Sequence, residues 1–263
     1  MPASRRLFVL LLFTCLGAFA HAGPLRIVTD PWAPYVFVEN GQARGLDYDA
    51  SVEVFKRLGV EVHWDFMPWK RCLIEMENGQ ADAVLDIFMT EERRPRLHFA
   101  DEPLSSAEFV LFYDRARPYP FNRLTDLQGL KVGTSPGYWY SDSDFRTSEL
   151  FTREPAPSHE ANLGKLVRDR VDLVVNDRRA GLWLAQHLGL AEQVAHHPRP
   201  VGEDPLYLAF RRTPELGELA QRFAEELRRF KREPAYATLQ ARYPVREQAW
   251  ADGLDRSTPL SSR

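Results

Sequence analysis

Apolar positions along the chain follow two periods in alternation. Leu25–Thr29 is a short apolar run, and residues 50–58 carry apolar side chains at helical spacing until Gly59 stops them. Residues 60–66 alternate like a strand, residues 68–78 return to the helical period and close on Gly79, and Ala83–Phe88 is again a buried strand. The pattern restarts with a strand over Lys131–Thr134, a helix opening after Pro136, a helix over 163–168, a strand over 173–176 and a helix running to Leu188. Such alternation specifies βαβ units and a mostly parallel sheet. Two further strand-like runs, 109–113 and 206–211, lie between the nuclei and are expected to be two crossings between lobes. Lobe I is then 23–112 plus 206–263, and lobe II is 113–205. Leu216, Leu219, Phe223 and Leu227 form a helical stripe, and the residues after Gly253 are polar and expected to fray.

The first residues have a separate purpose. Arg5 and Arg6 precede a 14-residue apolar run from Leu7 to Ala20, and Ala20-His21-Ala22 is an A-x-A cleavage signal. The run is shorter than the about 20 residues that span a bilayer. Cleavage before Gly23 leaves 241 of the 263 residues and moves the net charge from −3 to −5, because Arg5 and Arg6 depart. The expected product is periplasmic. Its acidic balance argues against nucleic acid as a partner. Of the two cysteines only Cys72 remains, so no intrachain disulfide forms; its place among Trp69, Leu73 and Met76 suits a buried, inert thiol.

Arg93 is the leading candidate for chemistry. In Thr90-Glu91-Glu92-Arg93 it follows the buried strand Ala83–Phe88, which puts one guanidinium at a strand end facing a cleft. Its planar fork of donors matches the two oxygens of a carboxylate. Arg94 and Arg96 beside it allow the alternative of a solvated basic face. Asp177 ends a strand and suits either a ligand contact or a helix N-cap. Asp30 precedes Pro31, as in an Asp-Pro turn. Trp32, Tyr35, Trp69, Tyr138 and Trp139 fall at strand-to-helix loops, where flat rings can stack on a ligand or attract an ammonium group.

Several of these blocks together resemble the bacterial extracellular solute-binding proteins of family 3, the periplasmic polar amino-acid-binding proteins of ABC transporters. The matching blocks are Arg26 to Pro31, Gly45-Leu46-Asp47-Tyr48-Asp49, Asn78 to Arg93, Leu127 to Gly133 and Arg170 to Asp177. The resemblance implies a type II periplasmic-binding-protein fold, two α/β lobes joined by a two-strand hinge, with the ligand between them. It implies that Arg93 holds a ligand α-carboxylate, that Asp177 takes the α-ammonium group, that Asp30 meets a cationic group and that Trp69 lies under the ligand. Asp86 and Phe88 stand where the family usually carries small hydroxyl residues, and Tyr138 and Trp139 replace another such pair. The site is therefore expected to be more aromatic and more acidic than usual and to favour cationic ligands, with an Asp86–Arg93 pair as the alternative.

Gly133-Thr134-Ser135-Pro136-Gly137 also matches the G-x-S-x-G nucleophile elbow. Pro136 lacks the N–H that the oxyanion hole needs, a loss of about 3 kcal/mol, so Ser135 and Gly137 are expected to cradle ligand at a helix N-terminus instead. The adjacent His196 and His197 are poorly placed to share a metal, and no cofactor is expected. The sequence thus points to a monomeric binding protein that captures an amino-acid-like small molecule for an inner-membrane ABC permease. The alternatives are a ligand sensor and a periplasmic enzyme of the cyclohexadienyl dehydratase type on the same fold.

Overall fold

The computed structural model describes residues 23–244. The expected targeting segment 1–22 and the polar end beyond Gly253 lie outside the described residues. The chain enters through β1 (Leu25–Thr29), a hairpin of β2 (Phe37–Glu39) and β3 (Gln42–Arg44), α1 (Leu46–Leu58), β4 (Val62–Phe66), α2 (Trp69–Glu77), β5 (Ala83–Phe88) and β6 (Leu97–Phe99). A long strand, β7 (Ser105–Asp114), leads to β8 (Lys131–Thr134), α3 (Ser143–Thr147), β9 (Thr152–Pro155), α4 (His159–Val167), β10 (Leu173–Asp177), α5 (Arg178–His187) and β11 (Val194–His196). A second long strand, β12 (Gly202–Arg211), returns to α6 (Pro214–Phe230) and α7 (Pro234–Ala241).

The main sheet has the order β4-β1-β5-β12-β7-β10-β8-β9. Its outer parts are parallel: β1 with β4 and β5, and β8 with β9 and β10. The two ten-residue strands run antiparallel through the middle. Residues 105–109 of β7 pair with 202–206 of β12. Beyond that, β7 pairs with β10 over 109–112, and β12 pairs with β5 over 206–210. Each long strand therefore changes partner along its length and joins one parallel half to the other. This is the expected architecture of two α/β lobes with a two-strand hinge.

Local chemistry places the elements that carry the site. Gly45, at φ 136°, precedes α1, and a Cβ there would lie 2.2 Å from the Tyr35 carbonyl oxygen. Only glycine lets the chain pass so close to Tyr35. Gly59, at φ 68°, ends α1 as the sequence indicates. Thr213 caps α6 by accepting from Leu216 N–H, with Pro214 in its first turn.

The segment after Pro136 differs from its expectation. It makes a turn, with Gly137 at φ 78° and Tyr138 N–H donating to the Ser135 carbonyl. The next helix, α3, starts only after Asp142 caps it through Phe145 N–H. A left-handed residue breaks helical propagation, so the apolar spacing beyond Pro136 serves a loop.

The striped face of α6 packs on α1. The Phe55 and Phe223 rings lie 5.0 Å apart, and Phe223 also meets Phe210 of β12 at 6.3 Å. Phe223 is fully buried. Phe223→Ala should therefore cost about 3–5 kcal/mol of stability, read from chemical denaturation.

Candidate ligand site

The carboxyl ends of β1 and β5 meet the loop after β8 across a narrow cleft. Thr29, Asp30, Trp32, Trp69, Leu85, Asp86, Phe88, Arg93, Tyr138 and Trp139 line it. The cleft measures about 350 Å³ in all, yet only about 20 Å³ is open to the centres of water-sized spheres. That is room for about one water. The site's own rings keep it narrow: Tyr138 stands edge-on to Trp32 at 5.8 Å and to Trp69 at 6.5 Å. The structure thus brings together Asp30, Trp32, Trp69, Asp86, Phe88, Arg93 and Tyr138, which lie far apart in the chain.

The two lobes contribute different chemistry. From the first comes Arg93, half-buried, whose Nη1 donates to the Phe88 carbonyl at 3.2 Å and whose guanidinium lies 5.9 Å from the Trp69 ring centre. Among the described residues it forms no ion pair with a carboxylate, Asp86 included. Asp30 accepts from Trp69 N–H and from Tyr138 Oη at 3.3 Å. Burial pushes its carboxyl up to about 6 against these bonds.

Asp86 owes its position to an irregular strand. Between Val84 and Ile87 of β5 stand two residues, Leu85 and Asp86, opposite the single Leu208 of β12. This is a β-bulge, a device that re-aims a side chain. Asp86 sits at φ 59°, a left-handed conformation that costs free energy for any residue but glycine. Its side chain lines the cleft, and neither of its buried carboxyl oxygens meets an N–H or hydroxyl donor. The Asp47 carboxyl, on the first turn of α1, faces it.

From the second lobe comes a short polar chain. Tyr138 Oη lies 2.9 Å from His159 Nε2, and His159 Nδ1 lies 3.5 Å from Ser135 Oγ. Burial pushes the imidazole down to about 4, so it is neutral near pH 7. His159 is the histidine beside Ser135. Ser135 lines a wider neighbouring recess with His159, Lys70 and Glu160. Gly137 lies against Trp69, to which a Cβ there would come within 3.5 Å. The cradle expected at a helix N-terminus is thus a turn, with Ser135 N–H donating to Tyr140 Oη.

Tyr35 and Asp177 lie elsewhere. Both are buried and bonded to each other, Tyr35 Oη donating to Asp177 at 3.1 Å. Asp177 also accepts from Glu108 N–H at 2.9 Å and caps α5 through Ala180 N–H at 2.8 Å. Internal donors engage both of its oxygens, and burial pushes the carboxyl up to about 6.

Sequence reading missed Asp47 and His159 as site residues. Asp47 read as part of a helix start. The signal for His159 was Ser158, which caps α4 through Ala161 N–H and turns the first helical side chain toward the loop after β8.

The model of the bacterial extracellular solute-binding proteins, family 3, matches residues 25–246. A search of curated protein sequences finds no match. Among solved structures, a histidine kinase sensor domain with similarity to periplasmic binding proteins superposes with a TM-score of 0.74 at 19% identity, covering 84% of this chain and 95% of that one. An ancestral arginine-binding protein bound to arginine gives 0.72 at 25% identity, with 84% and 98% covered. The ancestral amino acid-binding protein AncCDT-1, a precursor of cyclohexadienyl dehydratase, gives 0.70 at 23%, with 84% and 95% covered.

The bonding of Asp177 has a direct consequence for stability. Asp177→Ala removes a helix cap and leaves buried donors unpaired, so it should lower stability by about 2 kcal/mol or more in chemical denaturation.

Proposed function

The chain belongs to the bacterial extracellular solute-binding proteins of family 3, and from that premise we propose that it captures an amino acid or amino-acid-like small molecule in the cleft between its lobes. The observation that carries this reading is Arg93. It is a half-buried cation at the rim of an aromatic cleft, without a carboxylate partner among the described residues. A ligand carboxylate supplies that partner, in bidentate form. Asp30 and Asp86 in the same cleft offer acids for a cationic end, and Trp32, Trp69, Phe88 and Tyr138 offer faces for its stem.

Delivery to an inner-membrane permease, from a periplasmic monomer exported by the 1–22 segment, is the reading that the family supports. A membrane sensor is the second destination for the same ligand chemistry. Assaying purified protein for prephenate dehydration separates the binding role from a dehydratase. Turnover would overturn it.

Ligand identity is tested by a thermal-shift screen over amino acids, polyamines and opine-like compounds. A ligand at 100 times its Kd adds about 2.7 kcal/mol of stability. With the ligand found, Arg93→Ala should weaken binding by about 2–5 kcal/mol in calorimetry while the fold persists. Unchanged affinity would reduce Arg93 to a surface charge.

The small free volume of the cleft means that any amino acid requires the lobes to part and then close on it. The hinge lies where β7 and β12 change partners, near Phe109 and Leu206. Small-angle scattering should show a smaller radius of gyration at saturating ligand than without it. No compaction would speak for one rigid body.

A further inference from the structure

Asp86 and Asp47 are two acids buried face to face, and the reading above gives neither an explanation. Asp47 is 1% exposed and Asp86 7%. Asp47 accepts from Ser105 Oγ, but no donor reaches either oxygen of Asp86. Two carboxylates in contact in a low-dielectric interior cannot both stay ionised; one must carry a proton and donate it to the other. The bulge in β5 and the left-handed backbone at Asp86 hold this arrangement at a cost in strain, as functional sites do.

We propose that Asp47 and Asp86 share a single proton in the empty protein, and that the cationic end of the ligand displaces it on docking against Asp86, so that capture releases one proton to solvent. The proposal rests on the reading of the cleft as an amino-acid site. The exchange balances: the acid O–H bond of Asp86 breaks, its proton passes to buffer, and the ligand's positive charge replaces it beside a pair of carboxylates. The ligand class is then an amino acid with a second, cationic end. Its carboxylate meets Arg93 and its cation meets the acid pair on the same cleft wall.

The charged and titratable groups around the pair are few. Arg93, Asp30 and Tyr138 share the cleft with Asp86. Arg179 of α5 and Lys231 after α6 act on Asp47 from outside it, and Tyr35 and Tyr236 lie within its field. Burial raises both carboxyls, Asp47 to about 6 and Asp86 well above the ordinary carboxylate range, with the charge of Asp47 adding to the rise at Asp86. Of the two, Asp86 is the more strongly raised and so holds the shared proton the more tightly.

The test uses L-arginine and its uncharged near-isostere L-citrulline. Calorimetry at pH 7 in buffers of different ionisation heat should show about one proton released per arginine bound by the wild type. Arginine affinity should rise by about tenfold per pH unit between pH 6 and 8, and citrulline affinity should not. Asp86→Asn mimics the protonated acid in shape and donor, and asparagine tolerates the left-handed backbone. It should release no proton and lose most of the preference for arginine over citrulline. Arginine binding without proton release by the wild type overturns the exchange, as does binding of neutral amino acids only.

A ligand-free arm separates this inference from the site reading. An acid whose folded pKa is raised leaves the native state holding more protons than the unfolded chain, so stability falls as pH rises through that window. Wild type should therefore lose more melting temperature between pH 6 and 8 than Asp86→Asn, in which Asp30 and Asp177, raised to about 6, still contribute a smaller loss near pH 6. Equal losses in the two proteins, or a pH-independent wild-type melt over that range, overturn the shared proton. Failure of every amino acid to bind overturns the site reading, and the exchange with it, while the melts still decide whether the proton is shared.

Discussion

The antiparallel pairing of β7 with β12 is the constraint on which the rest of the molecule depends. Two parallel sheets, each with its own helices, have their adjacent edges closed by the same two strands, residue by residue across 105–109 and 202–206. Because each strand leaves this pairing into a different half, the carboxyl ends of β1 and β5 are brought opposite the loop after β8. Ligand sites in open α/β sheets form at carboxyl strand ends, and here two such ends share one cleft. Five residue pairs of these two strands join one half to the other.

Much of this was legible in the chain. Ala83–Phe88 and Lys131–Thr134 stand where the apolar runs place them, and Gly59 ends α1 by the left-handed conformation that only glycine adopts cheaply. The hairpin of β2 and β3 carries its own signal, Asn40-Gly41, both at positive φ between paired strands. Its strands of three residues are too short for a periodicity argument. The helix expected after Pro136 failed because Gly137 takes a left-handed turn that apolar spacing does not reveal.

The site was legible in part for the same reason. Asp30, Trp69 and Phe88 lie at the ends of regular elements, where position follows from topology. The contact between Asp47 and Asp86 does not follow from it, since it needs one extra residue in β5 relative to β12 to turn a strand side chain toward α1. A bulge of this kind leaves no mark in composition. Asp177 shows the opposite case, a strand-end acid whose local role as a helix cap engages both of its oxygens before a ligand could.

Three of the chain's six tryptophans, Trp32, Trp69 and Trp139, line a single narrow cleft beside a guanidinium and two carboxyl groups. Indole emission shifts in wavelength and yield with the polarity and charge around the ring. The arrangement therefore makes the protein its own optical gauge. Filling or emptying the cleft changes the surroundings of half of its strongest fluorophores at once, without any attached dye.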